Sequence, residues 1–408
     1  MKLFRAMLVW LTVAMLALPA GIAAAQEEIQ VPTVTNFTQF DIPDNEAMAF
    51  LKEMGVGWNL GNTFDAHVDG ASWFRGSELD LETAWVGVKT SSELIAALRE
   101  AGFSTIRVPV SWHEHVSGED FAISEAWLGR VQEVVDYAIG EGMHVILNTH
   151  HDVYPEYYYP NSENYEQSEK YITSIWTQLA ARFADYDEHL IFESMNEPRL
   201  KDTGNEWYYN PTNPDCKDSA ECINQLNQAF VNTVRAAGGN NASRYLMVPG
   251  YCAAPENAVN GVFRLPEDTA DNRIIVSVHA YTPYAFALQD GGDSKFVIGV
   301  NNQTSQINTF MTSLYNTYIS KGVPVVIGEY GARDKNGNLQ ERVNFAAYYA
   351  AAASARNIPC CWWDNGAFSG NGEIFGLIDR KTCGWRYPEV VEAIMRHGGY
   401  DKIPAKAE

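Results

Sequence analysis

Positive charge is scarce in this 408-residue sequence: 29 lysines and arginines face 51 acids, for a formal net charge of −22. A nucleic acid is held through a basic stripe, so the deficit argues against such a partner. Also missing are a proline/serine/threonine linker, a low-complexity tract and a short-period repeat, so nothing divides the chain into tethered modules. No G-x-G-x-x-G marks a dinucleotide-binding turn. Cysteine is sparse, and Cys216, Cys222, Cys252, Cys360, Cys361 and Cys383 carry no zinc spacing. Long apolar runs are lacking as well. The one candidate, Met7 to Leu18, is too short and one-sided for a membrane anchor.

That run reads instead as the centre of a secretory signal peptide over residues 1–25: Lys2 and Arg5 precede it, and Ala23-Ala24-Ala25 stands before Gln26. Its removal takes two cations and leaves a formal charge of about −24. The expectation is a secreted protein, extracellular or periplasmic, with no membrane attachment after cleavage, and a monomer. An oxidising compartment permits disulfides. Cys216 and Cys222 bracket a short polar stretch and could pair, whereas Cys360 and Cys361 read as buried thiols in an apolar strand. Residues 26–44 form a polar lead-in, 45–400 a catalytic domain and 401–408 a tail.

From residue 45 onward, β-branched apolar runs alternate with helical periodicity, the pattern of βα units on a parallel sheet. Strands are predicted at Val56–Leu60, Thr105–Val110, His144–Thr149, Leu190–Ser194, Tyr245–Pro249, Ile274–Ala280, Val323–Gly328 and Ile358–Trp363. Helices are predicted after Ser91 and after Ser124, and over Ser168–Phe183, Cys222–Ala237, Ser305–Ser320, Leu339–Ala355 and Tyr387–Arg396, with a weak one near Asn257–Val262. Continuous rather than alternating apolar strands fit a sheet buried on both faces. Eight units in series predict a single (β/α)8 TIM barrel, with a doubly wound open sheet as the alternative.

In such barrels chemistry gathers at the C-terminal strand ends. Here those ends carry Asn59, Arg107, His150-His151-Asp152, Asn196-Glu197, His279, Tyr281, Glu329 and Trp362-Trp363-Asp364. Each glutamate alone is explained by an ion pair at the rim. Together, after strands four and seven, Glu197 and Glu329 can face each other across a cleft, as cleavage of a glycosidic bond requires. A carboxyl separation of about 5 Å means a covalent, retaining route and a much wider one inversion.

The segments "RVPVSW", "NTHHD", "MNEP", "HAY", "IGEYG" and "WWDNG", in that order at strand ends, resemble glycoside hydrolase family 5. With "GWNLGNTFDA" at the first strand, the likeness is to its endo-β-1,4-glucanase and xyloglucanase branch and spans about Asn45 to Gly398. The resemblance implies Glu197 as general acid/base and Glu329 as nucleophile. It implies Asn196 on the sugar 2-hydroxyl, Arg107 and Tyr281 around Glu329, and His150 and His279 shaping the same subsite. Trp363 becomes the stacking platform in preference to Trp362, and Asn59 and His151 complete the substrate-binding set. No metal or other cofactor is implied. Val86-Gly87-Val88 departs from the Gly-Asn-Pro of that branch, which leaves the shape of this loop open.

Like-charge repulsion from Glu329 is expected to raise the Glu197 carboxyl, while Arg107 lowers that of Glu329. Aromatic residues crowd the predicted loops, notably Trp73, Trp112, Tyr154, "EYYYP", "EWYYN" and Tyr284; each singly is explained by packing, and the two clusters are candidates for outer sugar subsites. The expected partner is a β-linked polysaccharide, with mannan or xylan as alternatives to glucan. Two other classes compete. One is a metal-dependent hydrolase built on His150, His151, Asp152, His279 and Asp364, disfavoured because adjacent strand residues point to opposite faces. The other is a non-catalytic polysaccharide binder.

Overall fold

The computed structural model describes residues 28–299, 301–370 and 372–403. The expected signal peptide lies outside them, as do residues 404–408 of the expected tail. Eight parallel strands close a barrel in which each pairs with its sequence neighbours and the last pairs with the first. They are β1 Val56–Leu60, β2 Thr105–Val108, β3 His144–Asn148, β4 Leu190–Glu193, β5 Leu246–Pro249, β6 Ile274–His279, β7 Val325–Tyr330 and β8 Cys360–Asp364. The closed ring excludes the open doubly wound sheet. Nearly every strand residue is buried, since one face fills the barrel and the other meets the helices.

The surrounding helices are α1 Glu46–Met54, α2 Ser92–Ala101, α3 Glu125–Gly140, α4 Tyr165–Arg182, α5 Pro214–Ala236, the five-residue α6 Pro255–Val259, α7 Asn301–Thr317, α8 Leu339–Ser354 and α9 Pro388–His397. Local sequence sets their ends. The Ser91 hydroxyl accepts the Leu94 N–H at the start of α2, and Gly102, at φ +107°, supplies the left-handed residue that stops it.

Helix α5 starts eight residues before the expected Cys222, because Asn213 caps it and Pro214 fits its first turn. Cys216 and Cys222 therefore lie on one helix instead of bracketing a loop. A six-residue rise of about 9 Å exceeds the Cα separation a disulfide tolerates, and all six cysteines are free. The lead-in is not a detached tail: Phe37 packs on Tyr348, and the Phe40 N–H donates to the Ala355 carbonyl at 2.9 Å. Among the described residues, no helix is long and apolar enough to cross a membrane.

Candidate active site

Arg107, on β2 and fully buried, is the hub of the barrel mouth. Its Nε donates to Glu193 at 2.7 Å, one Nη to Asn59 at 3.0 Å and Glu329 at 2.8 Å, and the other Nη to Asn196 at 2.7 Å. A buried guanidinium must have its donors satisfied, and here two carboxylates also balance its charge. Burial opposes its charge, but Glu193 and Glu329 hold the group above its ordinary range. Glu193 is fixed in turn by Ser277 at 2.6 Å and Asn148 at 3.0 Å.

Strand β7 carries one extra residue relative to β6: Val278 pairs with Ile327 and His279 with Glu329, so Gly328 forms a bulge. A bulge re-aims the side chain that follows it. Here it sets Glu329 beside His279, and a Cβ on residue 328 would stand 3.1 Å from the His279 ring. His279 Nδ1 lies 2.8 Å from Glu197 and 3.7 Å from Glu329. Its Nε2 faces Arg107 at 3.4 Å. Arginine only donates, so the neutral ring keeps its proton on Nδ1 and gives it to Glu197. The Tyr281 hydroxyl donates to the second Glu329 oxygen at 2.9 Å. One oxygen of Glu197, one of Glu329 and a His279 nitrogen all lie within 4.8 Å of one another.

The electrostatics depart from the sequence expectation at Glu197. Burial raises this carboxyl, but the His279 hydrogen bond and charge, together with Arg199 and Arg107, outweigh burial and leave it below its usual range. Repulsion by Glu329 is not the controlling influence. His279 moves the opposite way: burial lowers it, and the Glu329 charge with the Glu197 hydrogen bond raises it further.

His150, past the end of β3, receives the Asn148 amide on Nδ1 at 3.1 Å. It lies parallel to Trp363, with ring centroids 5.8 Å apart. Gly61 makes room for that indole, since a Cβ there would come within 2.8 Å of it. Trp362 is fully buried and donates to the Phe375 carbonyl, so the choice of Trp363 for the mouth agrees with the register. Asn59 is also fully buried, with its amide engaged by Arg107 and the Gly328 carbonyl, which makes it a brace and not a surface for sugar.

His151 corrects another expectation. It does not turn away from His150: the rings meet edge to face at 4.4 Å, because both follow the last β3 residue and strand alternation no longer applies. The remaining proposed metal ligands do not join them. Asp152 binds His113, and Asp364 binds Trp58 and Arg380. Of the loop aromatics, Trp112 and Tyr158 are fully buried and Tyr209 nearly so, whereas Trp73, Trp207, Tyr208 and Tyr284 are exposed.

The description "Cellulase (glycosyl hydrolase family 5)" matches residues 64–369. The chain belongs to glycoside hydrolase family 5. Within that family it is 40% identical to Endoglucanase 1 of Ruminococcus albus, over 95% of this chain and 89% of that one. A family 5 lichenase from Caldicellulosiruptor sp. F32 is 55% identical and superposes with a TM-score of 0.89, covering 91% of this chain and 100% of its own. A broad-specificity endoglucanase from Ruminococcus champanellensis, solved with bound cellotriose, is 44% identical with a TM-score of 0.79, covering 87% of this chain and 100% of its own. The protein is thus a glycoside hydrolase with the family 5 barrel.

Glu193, to which the sequence assigned no role, is the buried carboxylate that holds Arg107 Nε. It was visible as an acid inside an apolar strand, and Arg107 is the sole lysine or arginine in the eight strands. A buried acid and the one cation of the same barrel interior are natural partners.

Proposed function

We propose that this family 5 member is an exported, endo-acting β-1,4-glucanase that retains anomeric configuration through two glutamates. The observation that carries the proposal is the approach of Glu197 and Glu329 to within 4.8 Å, each with a different partner. That spacing suits a nucleophile and an acid with no water held between them. Glu329, bonded to Arg107 and Tyr281, attacks the anomeric carbon as the glycosidic C–O bond breaks. The departing oxygen takes the proton of Glu197. Water then gives its proton back to Glu197 while its oxygen displaces the Glu329 ester.

His279 occupies one oxygen of Glu197 and leaves the other for the glycosidic oxygen. Because the resting carboxyl is held low, protonation belongs to the substrate-filled site: a bound glucan removes water from Glu197 while the Glu329 charge stays close, and both changes raise its affinity for a proton. Asn196, held by Arg107, is placed for the 2-hydroxyl, and His150 with Trp363 lines the same sugar. Trp207, under the Arg199 guanidinium at 4.1 Å, offers an outer platform, since Arg199 also donates to the Glu197 carbonyl. The names endoglucanase and lichenase, and the cello-oligosaccharides bound by structural neighbours, support a β-glucan substrate.

Glu329→Ala tests the proposal. Hydrolysis of an aryl β-cellobioside should fall on the order of a thousandfold or more, and azide should restore turnover with an α-glycosyl azide as product. Near-native activity without azide would overturn the mechanism. Faster hydrolysis of xylan or mannan than of barley β-glucan by the wild type would overturn the substrate.

A further inference from the structure

We infer that the loops after β1 and β2 form a divalent transition-metal site, best suited to zinc, from His67, Asp69 and His113. It shares no residue with the glutamate pair, although His67 packs on His151 at 5.4 Å, and the inference does not depend on the roles proposed for that pair. His67 Nδ1 lies 2.9 Å from one Asp69 oxygen, and His113 Nε2 lies 3.3 Å from the other. The three donor atoms fall within 4.8 Å of one another. Tetrahedral zinc with ligands near 2.0–2.1 Å spaces its donors by about 3.3 Å, and two imidazoles with one carboxylate are a common zinc set.

The surroundings favour a metal over a loose ion pair. A metal-bound histidine usually gives its second nitrogen to a carboxylate, which fixes the tautomer. His113 Nδ1 meets the buried Asp152 carboxylate at 2.8 Å, and Asp152 also accepts the backbone N–H groups of Trp112 and His113. With Nδ1 engaged by Asp152, Nε2 is the atom left facing Asp69, at 3.3 Å, and is the one that would meet a metal. Asp69 is held by the Tyr154 hydroxyl at 3.1 Å. The Glu114 carboxylate accepts the Val68 N–H at 2.9 Å and so docks the His67–Asp69 turn against His113. His67 Nδ1 is buried, and its one close polar neighbour is the Asp69 carboxylate at 2.9 Å. Asp69 is half exposed, which leaves an entry path and room for a water as fourth ligand.

Two other clusters fit less well. Asp65, His150 and His151 converge, but both Asp65 oxygens accept backbone N–H groups, from Asn62 and Thr63. Glu197, His279 and Glu329 already have Arg107 lodged among them.

An ion at His67, Asp69 and His113 would tie the β1 loop to the β2 loop and stiffen one side of the cleft. The test is calorimetric titration of Zn²⁺ into the chelator-stripped full chain, with thermal unfolding followed in parallel. One site is expected, and Zn²⁺ should raise Tm because it binds the folded state alone. His67→Ala, at a part-buried position, and Asp69→Ala, at an exposed one, should weaken binding by about tenfold or more and abolish the Tm shift, while the metal-free Tm of Asp69→Ala stays near that of the wild type. Glu329→Gln should bind Zn²⁺ as the wild type does. Absence of binding, or binding lost in Glu329→Gln and kept in His67→Ala, overturns the site.

Discussion

Glu197 and Glu329 are the same residue type placed in different company, and their neighbours decide what each can do. Glu329 meets a permanent cation and a phenol, whereas Glu197 meets an imidazole that can hold or release a proton. If Glu197 supplies the leaving-group proton, Glu197→Gln should depend on the substrate. Loss on barley β-glucan should exceed loss on a dinitrophenyl cellobioside by about a hundredfold, because a good leaving group departs unaided. Equal losses on both would remove the acid role. Both glutamates were legible at strand ends. The protonation bias of Glu197 was not, because it depends on a nitrogen 2.8 Å away that belongs to a strand 82 residues further along. Repulsion between two acids could be anticipated from their pairing, but the histidine between them required the Gly328 bulge.

Strands and helices were read closely wherever a cap or an apolar period marks them, as at Ser91, Ser124 and β1. The start of α5 is hard to read from sequence because its first two turns are largely polar, and only Asn213-Pro214 signals it. The strands also hold stability that sequence does not display. His144 opens β3 at the closed bottom of the barrel, packed on Phe50 and stacked on His189, with Nδ1 unpartnered. Burial first and the His189 charge second lower it from 6.5 to about 4. A depressed histidine contributes stability fully above pH 6.5 and loses it as pH falls through about 4. The loss over that window is roughly 2–3 kcal/mol. His144→Leu should flatten the acid side of the stability–pH curve by that amount in urea titrations at successive pH values. An unchanged slope would reassign the acid sensitivity to other groups.

For the whole molecule, the barrel followed from eight apolar runs in series, and one-domain closure needed no other information. The docking of the lead-in on α8 and the meeting of His67 with His113 were not legible, since both depend on which loops the closed ring sets side by side. The thiols follow a similar logic. Five are buried and Cys383 is partly exposed, so native labelling with a thiol reagent should modify one cysteine rapidly and all six after denaturation. Dithiothreitol should leave Tm unchanged. Fewer than six reactive thiols in the denatured, unreduced chain would reveal a disulfide and contradict the free-cysteine arrangement.

The seam between β1 and β8 joins the beginning of the fold to its end: the Asn59 amide donates to the Cys361 carbonyl across 302 residues. Ribosomes finish both reactive acids long before that contact can form. A polypeptide cut short ahead of β8 would hold both glutamates yet lack Trp363 and the carbonyls that steady Asn59, and through it Arg107. The last strand thus locks a barrel mouth that the first seven can only begin.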